Sequence, residues 1–159
     1  METKRLNKAI AETGFCSRRE ADKLIEQGRV KVNGIKPELG TKVTSKDTIS
    51  VDGKTITKDV ENIYLVFNKP VGITCTTETQ VEDNIISYIN YPERIFPIGR
   101  LDYNTSGLLL LTNDGDFANK IMHPRYEIKK TYRVELNKKI TREDVNKLEK
   151  GIFLKDGKT

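Results

Sequence analysis

Two turn dipeptides, Asn33-Gly34 and Asp52-Gly53, directly follow short stretches rich in β-branched residues, Val30-Lys31-Val32 and Ile49 to Val51. Such dipeptides accept the positive φ angles of a two-residue hairpin, so they fix where the chain folds back as antiparallel strands. Two helix-length segments lie ahead of them. Leu6, Ala9, Ile10 and Thr13 recur at helical spacing, and Gly14 follows at a C-cap position. Ser17-Arg18-Arg19-Glu20 then has the serine-to-glutamate spacing of a capping box. Ala21, Leu24 and Ile25 share one face behind it, and Gly28 closes the segment. Two helices followed by a small sheet are expected here.

Lys54 to Asn62 is polar and lacks periodicity, which marks a linker and divides the chain into residues 1–60 and 61–159. Strand patterns follow at Tyr64 to Phe67, Ile95 to Leu101, Leu108 to Thr112 and Thr131 to Leu136. Helix patterns lie at Asp83 to Ile89 and Asp116 to Met122, with Asp114 read as a turn residue and Asp116 as the N-cap. Thr141-Arg142-Glu143-Asp144 opens a last helix, expected to turn Val145 and Leu148 inward and to end at Gly151. Strands mixed with helices in this order indicate an α+β fold.

No apolar run approaches the length of a membrane span, and the N-terminus is charged rather than apolar, so a soluble cytoplasmic protein with no membrane partner is expected. Cys16 and Cys75 are too few for a disulfide scaffold and lack metal-ligand spacing; both read as reduced packing residues. His123, alone of its type and next to Pro124, reads as structural. Asn113-Asp114-Gly115 lacks the ligand series of a calcium loop, so no metal is expected.

Residues 1 to 60 carry 13 Lys/Arg against 9 Asp/Glu. Arg18, Arg19 and Lys23 cluster on the second helix, and Arg29 and Lys31 follow it. Arginine forks suit phosphate, while Ser17 and the free N–H groups at the helix start add neutral donors. The same charges could instead be a solvated face paired with Glu20, Asp22 and Glu26. Arg5-Leu6-Asn7-Lys8, Cys16 to Asp22, Ile25 and Gly28 to Gly34 resemble the S4 RNA-binding domain. The resemblance implies that Arg5, Ser17, Arg18, Arg19, Lys23, Arg29 and Lys31 grip structured RNA by its shape and backbone.

The stretch Phe96-Pro97-Ile98-Gly99-Arg100-Leu101-Asp102, continued by Tyr103-Asn104-Thr105-Ser106-Gly107 and Leu108 to Gly115, puts an acid in a loop between two apolar strands. Read alone, Asp102 is a turn former, and Arg100 could pair with it or bind phosphate. Together with Asn68-Lys69-Pro70-Val71-Gly72 and Lys130-Thr131-Tyr132-Arg133-Val134, the stretch resembles one group of bacterial ribosomal RNA pseudouridine synthases, namely type A for small-ribosomal RNA and types B, E and F for large-ribosomal RNA. The resemblance implies that Asp102 is the essential carboxylate, acting on ribose C1′ as nucleophile or at C2′ as base. It also implies that Tyr132 packs against the flipped target base, that Arg100 pairs with Asp102 or fills the vacated stack, and that no cofactor is needed. Lys69 and Lys130 are assigned to the fold or the phosphate track.

Asp83-Asn84-Ile85-Ile86 and Tyr91 to Pro97 are similar to the type F members, while Met122-His123-Pro124 and Glu127 to Lys130 are closer to type B. A uridine in 23S rRNA is therefore the expected target, and a complete member is expected to be monomeric. Family members continue beyond this point with further strands and a basic residue opposite the catalytic aspartate, so residues 61–159 are expected to be the first part of a catalytic domain. Two functions remain open on sequence: a pseudouridine synthase, or an RNA-binding protein without activity.

Overall fold

A computed structural model describes residues 3–59, 61–154 and 157–158. The chain forms two compact units, Met1–Ile128 and Lys129–Thr159. The fold is α+β with antiparallel pairing in every sheet.

In the first unit, strand β1 (Lys4–Arg5) leads into helix α1 (Leu6–Glu12), and helix α2 (Arg18–Glu26) follows. The Ser17 side chain accepts from the Glu20 N–H, so α2 begins where the sequence places it, although only that half of the capping box forms. α1 is shorter than its pattern because Lys4–Arg5 is drawn into pairing with β3 (Lys42–Val43). Strand β2 (Val30–Val32) pairs with β4 (Ile49–Val51), which pairs with β5 (Lys54–Thr55). Asn33 and Gly34 take φ of 51° and 81° and turn the chain back so that Val32 bridges Ile35. Asp52 and Gly53 do the same between β4 and β5. This last hairpin takes Lys54 and Thr55 out of the expected linker, since the turn carries the chain straight back onto β4. Leu6, Ile10, Ala21, Leu24, Ile25, Val30, Val43, Ile49 and Val51 form one buried cluster with Cys16.

A second cluster, Ile73, Ile85, Ile95, Leu109 and Leu111, lies beneath the sheet of β6 (Tyr64–Lys69), β7 (Phe96–Ile98) and β8 (Gly107–Thr112), in the order β6-β8-β7. Alternation along β6 and β8 turns Leu65, Phe67, Leu109 and Leu111 toward this core and leaves Val66 and Leu108 exposed. β7 ends at Ile98, short of the expected Leu101, because Gly99 turns with φ 82°. Helix α3 (Ile85–Ile89) starts at Asn84, whose side chain caps Ser87 N–H. Helix α4 (Gly115–Met122) is capped by Asp114 rather than Asp116: the Asp114 carboxylate accepts from the Asp116 and Phe117 N–H groups at 3.0 Å each. The helix therefore starts at Gly115, ahead of the position that the aspartate spacing indicated.

The second unit contains helix α5 (Arg142–Glu149), with a full capping box between Thr141 and Asp144, and a short pair β9 (Phe153–Leu154) and β10 (Gly157–Lys158). Two expectations fail in it. Thr131 to Leu136 is not a strand, and Tyr132, Val134 and Leu136 are exposed: an alternating pattern makes a strand only when a neighbour supplies the ladder, and no described segment pairs with it. Val145 and Leu148 are likewise exposed rather than inward. Gly151 closes α5 at φ 82°, as its spacing indicates.

Candidate active site and RNA-facing surface

The register of β6 against β8 places Lys69 opposite Gly107, at the foot of the loop that carries Asp102. Lys69 is completely buried, at 0% exposure. Its Nζ donates to the carbonyls of Pro70 at 2.9 Å, Thr105 at 2.8 Å and Tyr103 at 3.5 Å, one for each N–H of a lysine ammonium. Gly72 N–H adds a bond to the Tyr103 carbonyl at 2.8 Å, and Thr105 N–H closes a turn onto the Asp102 carbonyl at 3.0 Å. On the approach side, Leu101 N–H donates to Cys75 Sγ at 3.4 Å, and Leu101 packs against the second core. The loop is thus held at both feet by its backbone. Asp102 stands out from it, exposed, and among the described residues no hydrogen bond or ion pair engages its carboxylate.

Arg100 is exposed and makes no ion pair with Asp102 among the described residues. Tyr132 belongs to the second unit and is 79% exposed. Among the described residues no group of three His, Cys, Asp or Glu side chains is placed to hold a metal. His123 accepts from Arg125 N–H through Nδ1 and caps a single helical turn, Pro124–Tyr126.

The basic residues of the first helix pair do not share one environment. Arg5 lies on β1, Arg19 and Lys23 are exposed on α2, and Lys31 is exposed on β2. Arg29 is committed to Asp52 by two bonds of 2.9 and 2.5 Å, which hold its guanidinium protonated more firmly and keep the Asp52 carboxyl below its ordinary range. Ser17 is occupied as the α2 cap. Arg18, also exposed, reaches α4: its Nη2 lies 3.6 Å from where a Cβ on Gly115 would stand. It lines a cleft of about 740 Å³ between α1, the start of α2 and α4, which also takes in Lys8, Arg94, Phe96, Met122 and Arg125. Lys8 crosses from α1 to Asp116 on α4 at 2.6 Å, and this bond raises its pKa against the opposing effect of burial. Sequence reasoning missed this cleft. Arg94 was visible only as one charge in Tyr91-Pro92-Glu93-Arg94, and nothing local signals that it lines the same cleft as Arg18.

Residues 63–158 match the RNA pseudouridylate synthase family and residues 4–49 match the S4 domain. The chain is 49% identical over 158 residues to a ribosomal large subunit pseudouridine synthase B of Bacillus subtilis (strain 168), covering 98% of this chain and 64% of that protein. It is 45% identical over 150 residues to a dual-specificity RNA pseudouridine synthase of Escherichia coli (strain K12), covering 93% and 52%. It is 44% identical over 161 residues to an uncharacterized RNA pseudouridine synthase of Aquifex aeolicus (strain VF5), covering 96% and 63%. A solved pseudouridylate synthase structure aligns over 77% of this chain and 54% of that one, at 34% identity and a TM-score of 0.43. The chain therefore spans between about half and two thirds of the length of these relatives. With Asp102 presented between β7 and β8 and the family match running from Ile63 through the second unit, the chain belongs to the RNA pseudouridylate synthase family.

Proposed function

We propose that this chain supplies the RNA-binding domain and the aspartate-bearing part of an enzyme that isomerises one uridine of 23S rRNA to pseudouridine. The observation that carries the reading is the Asp102 loop, whose backbone is fixed by Lys69 and Gly72 while its carboxylate faces outward. A group that must meet a nucleotide flipped out of its helix has to be both exposed and fixed, and this loop meets both requirements.

In this reading Asp102, as carboxylate, attacks ribose C1′ or takes a proton at C2′, and the N1–C1′ bond of uridine breaks. The freed uracil turns about and bonds C1′ through C5 as the Asp102–C1′ bond breaks, or as the proton taken from C2′ is returned there; the proton lost from C5 is balanced by one gained at N1. Product and substrate are isomers, so the chemistry draws on no cofactor. Arg100, free of Asp102, is available to fill the space the uridine leaves, and Tyr132 to stack on the flipped base. Arg5, Arg19, Lys23 and Lys31 contact phosphates, with Arg18, Ser17 and Arg29 completing the RNA-facing side. The partner is ribosomal RNA, and the enzyme acts as a monomer in the cytoplasm; no helix among the described residues is long and apolar enough to cross a membrane.

The test is to incubate unmodified 23S rRNA with the 159-residue chain and with a version carried on to the relatives' length, then map pseudouridine by carbodiimide-stop primer extension. A single new stop, absent with Asp102→Ala while rRNA binding persists, is the expected result. Loss of binding with Asp102→Ala would make Asp102 a structural residue, and tight binding with no stop in either version would make the protein a binder only.

A further inference from the structure

We propose that the cleft between α1, the start of α2 and α4 binds a second nucleotide of the RNA substrate, unstacked from its helix and distinct from the uridine at Asp102. This rests on the proposed RNA-modifying function. The charges around the cleft are lopsided. Lys8, Arg18, Arg94 and Arg125 line it against Glu12 and Asp116. Both acids are already engaged by lysines: Asp116 by Lys8 at 2.6 Å, and Glu12 by Lys4 at 2.5 Å and Lys8 at 3.6 Å. Arg18, Arg94 and Arg125 therefore have no carboxylate partner among the described residues.

Ala11, Phe96, Ala118 and Met122 give the same cleft an apolar part of its lining. At about 740 Å³ the space is of the size that receives a small organic ligand rather than a lone phosphate. An aromatic ring, the arginine planes of Arg18 and Arg94, apolar lining and an excess of positive charge, with Arg125 stacked on Tyr126 at 4.7 Å, are what a base with its phosphate requires. An acidic peptide would satisfy the charge but not explain the position. Phe96 lines the cleft and Asp102 follows it by six residues. The two sites therefore lie within roughly 20 Å along the chain. Gly99 N–H, between them, donates to Met122 Sδ at 3.0 Å and ties this connecting segment to α4. One folded RNA element can place one nucleotide in the cleft and present another to Asp102, which makes the cleft a determinant of which uridine is chosen.

The test measures binding of the 159-residue chain to unmodified 23S rRNA across a salt series, with 2′-hydroxyl acylation of the bound RNA. Arg94→Gln removes a cation with no carboxylate partner and should weaken binding about three- to tenfold while lowering the salt slope by about one. Asn119→Trp fills the cleft without changing charge and should weaken binding roughly five- to 160-fold, the range for a lost stacked base, while exposing one protected nucleotide to acylation. Lys120→Gln, on α4 but outside the cleft, should bind within about twofold of the unaltered chain. If both cleft variants keep native circular dichroism, rRNA affinity and protections, the cleft assignment is overturned while the RNA reading stands. If the unaltered chain binds no rRNA, both fall. If a labelled polyglutamate peptide binds the unaltered chain but not Asn119→Trp, and rRNA binding is equal in the two, the cleft serves a protein partner instead.

Discussion

Replacing Lys69 with methionine keeps the buried stem of the side chain and removes only its donors. Two carbonyls, Pro70 and Thr105, lose donors at 2.9 and 2.8 Å, while the Tyr103 carbonyl keeps its bond from Gly72 N–H. Leaving a buried acceptor unsatisfied costs about 1–3 kcal/mol, so the two short bonds together represent roughly 2–6 kcal/mol. Against this, methionine relieves the desolvation of a buried ammonium, itself several kcal/mol. The third, longer contact at 3.5 Å adds little. A net loss of up to about 4 kcal/mol is expected once the lost donors are set against the relieved desolvation. With denaturant slopes of about 1–3 kcal/mol per molar urea, the midpoint should fall by up to roughly 2 M. The local signature is sharper: the amides of Gly72 and Thr105, bonded to Tyr103 and Asp102 carbonyls, should lose protection from hydrogen exchange well before the first core does. In the version carried on to the relatives' length, turnover should fall while rRNA binding by the first domain is kept. An unchanged urea midpoint together with slow exchange at both amides would refute the role given to Lys69.

Asp114→Ala should cost about 1–2 kcal/mol, because it removes the α4 cap, and the bond from Tyr64 hydroxyl at 2.8 Å goes with it. Burial pushes the Asp114 carboxyl up, but bonds from Phe117 N–H, Tyr64 hydroxyl and Asp116 N–H together hold it below its ordinary value. Its contribution is therefore present above the unfolded aspartate value near pH ~4 and is lost as pH falls through the lowered one. Acid titration of stability should accordingly be flatter in Asp114→Asn than in the unaltered chain, and parallel curves would count against this account. Burial, with Glu20 adding and Arg94 opposing, pushes the Cys16 thiol up to about 11, so iodoacetamide at pH 8 should label half-buried Cys75 first; earlier labelling of Cys16, read by peptide mass, would contradict its burial. Arg19→Ala with Lys23→Ala should reduce the salt slope of rRNA binding by about two, and an unchanged slope would move the phosphate contacts off the exposed face of α2.

Local signals were legible wherever a residue's own conformation decides the outcome. Ser17 before α2, the positive φ of Asn33-Gly34 and Asp52-Gly53, and Gly151 after α5 could all be read directly, because caps and turns depend on a few consecutive residues. Asp114 and Asp116 show the boundary of that method. Either aspartate can cap a helix, and Tyr64, 50 positions away, is among the groups that hold Asp114 in the capping position. Thr131 to Leu136 failed for a related reason, since alternation states only what a strand would look like once paired. Asp102 was singled out by its motif and Lys69 was assigned to the fold or the phosphate track, but only the β6 to β8 register puts Lys69 inside, at the foot of the Asp102 loop. Arg18 was grouped with Arg19 and Lys23 by spacing, and all three are exposed, yet of them only Arg18 lines the cleft.

The lysine cage also sets an order of events during synthesis. Lys69 leaves the ribosome 36 positions ahead of Thr105, whose carbonyl it requires. At about 5–20 residues per second this is a delay of roughly 2 to 7 s. During it β6 has no β8 to pair with, and its ammonium, still hydrated, guards an apolar strand against premature association. The charge that ends up fully buried beside the second core thus first serves the nascent chain as a solubilising group, and is withdrawn from water only when the segment bearing Asp102 arrives to receive it.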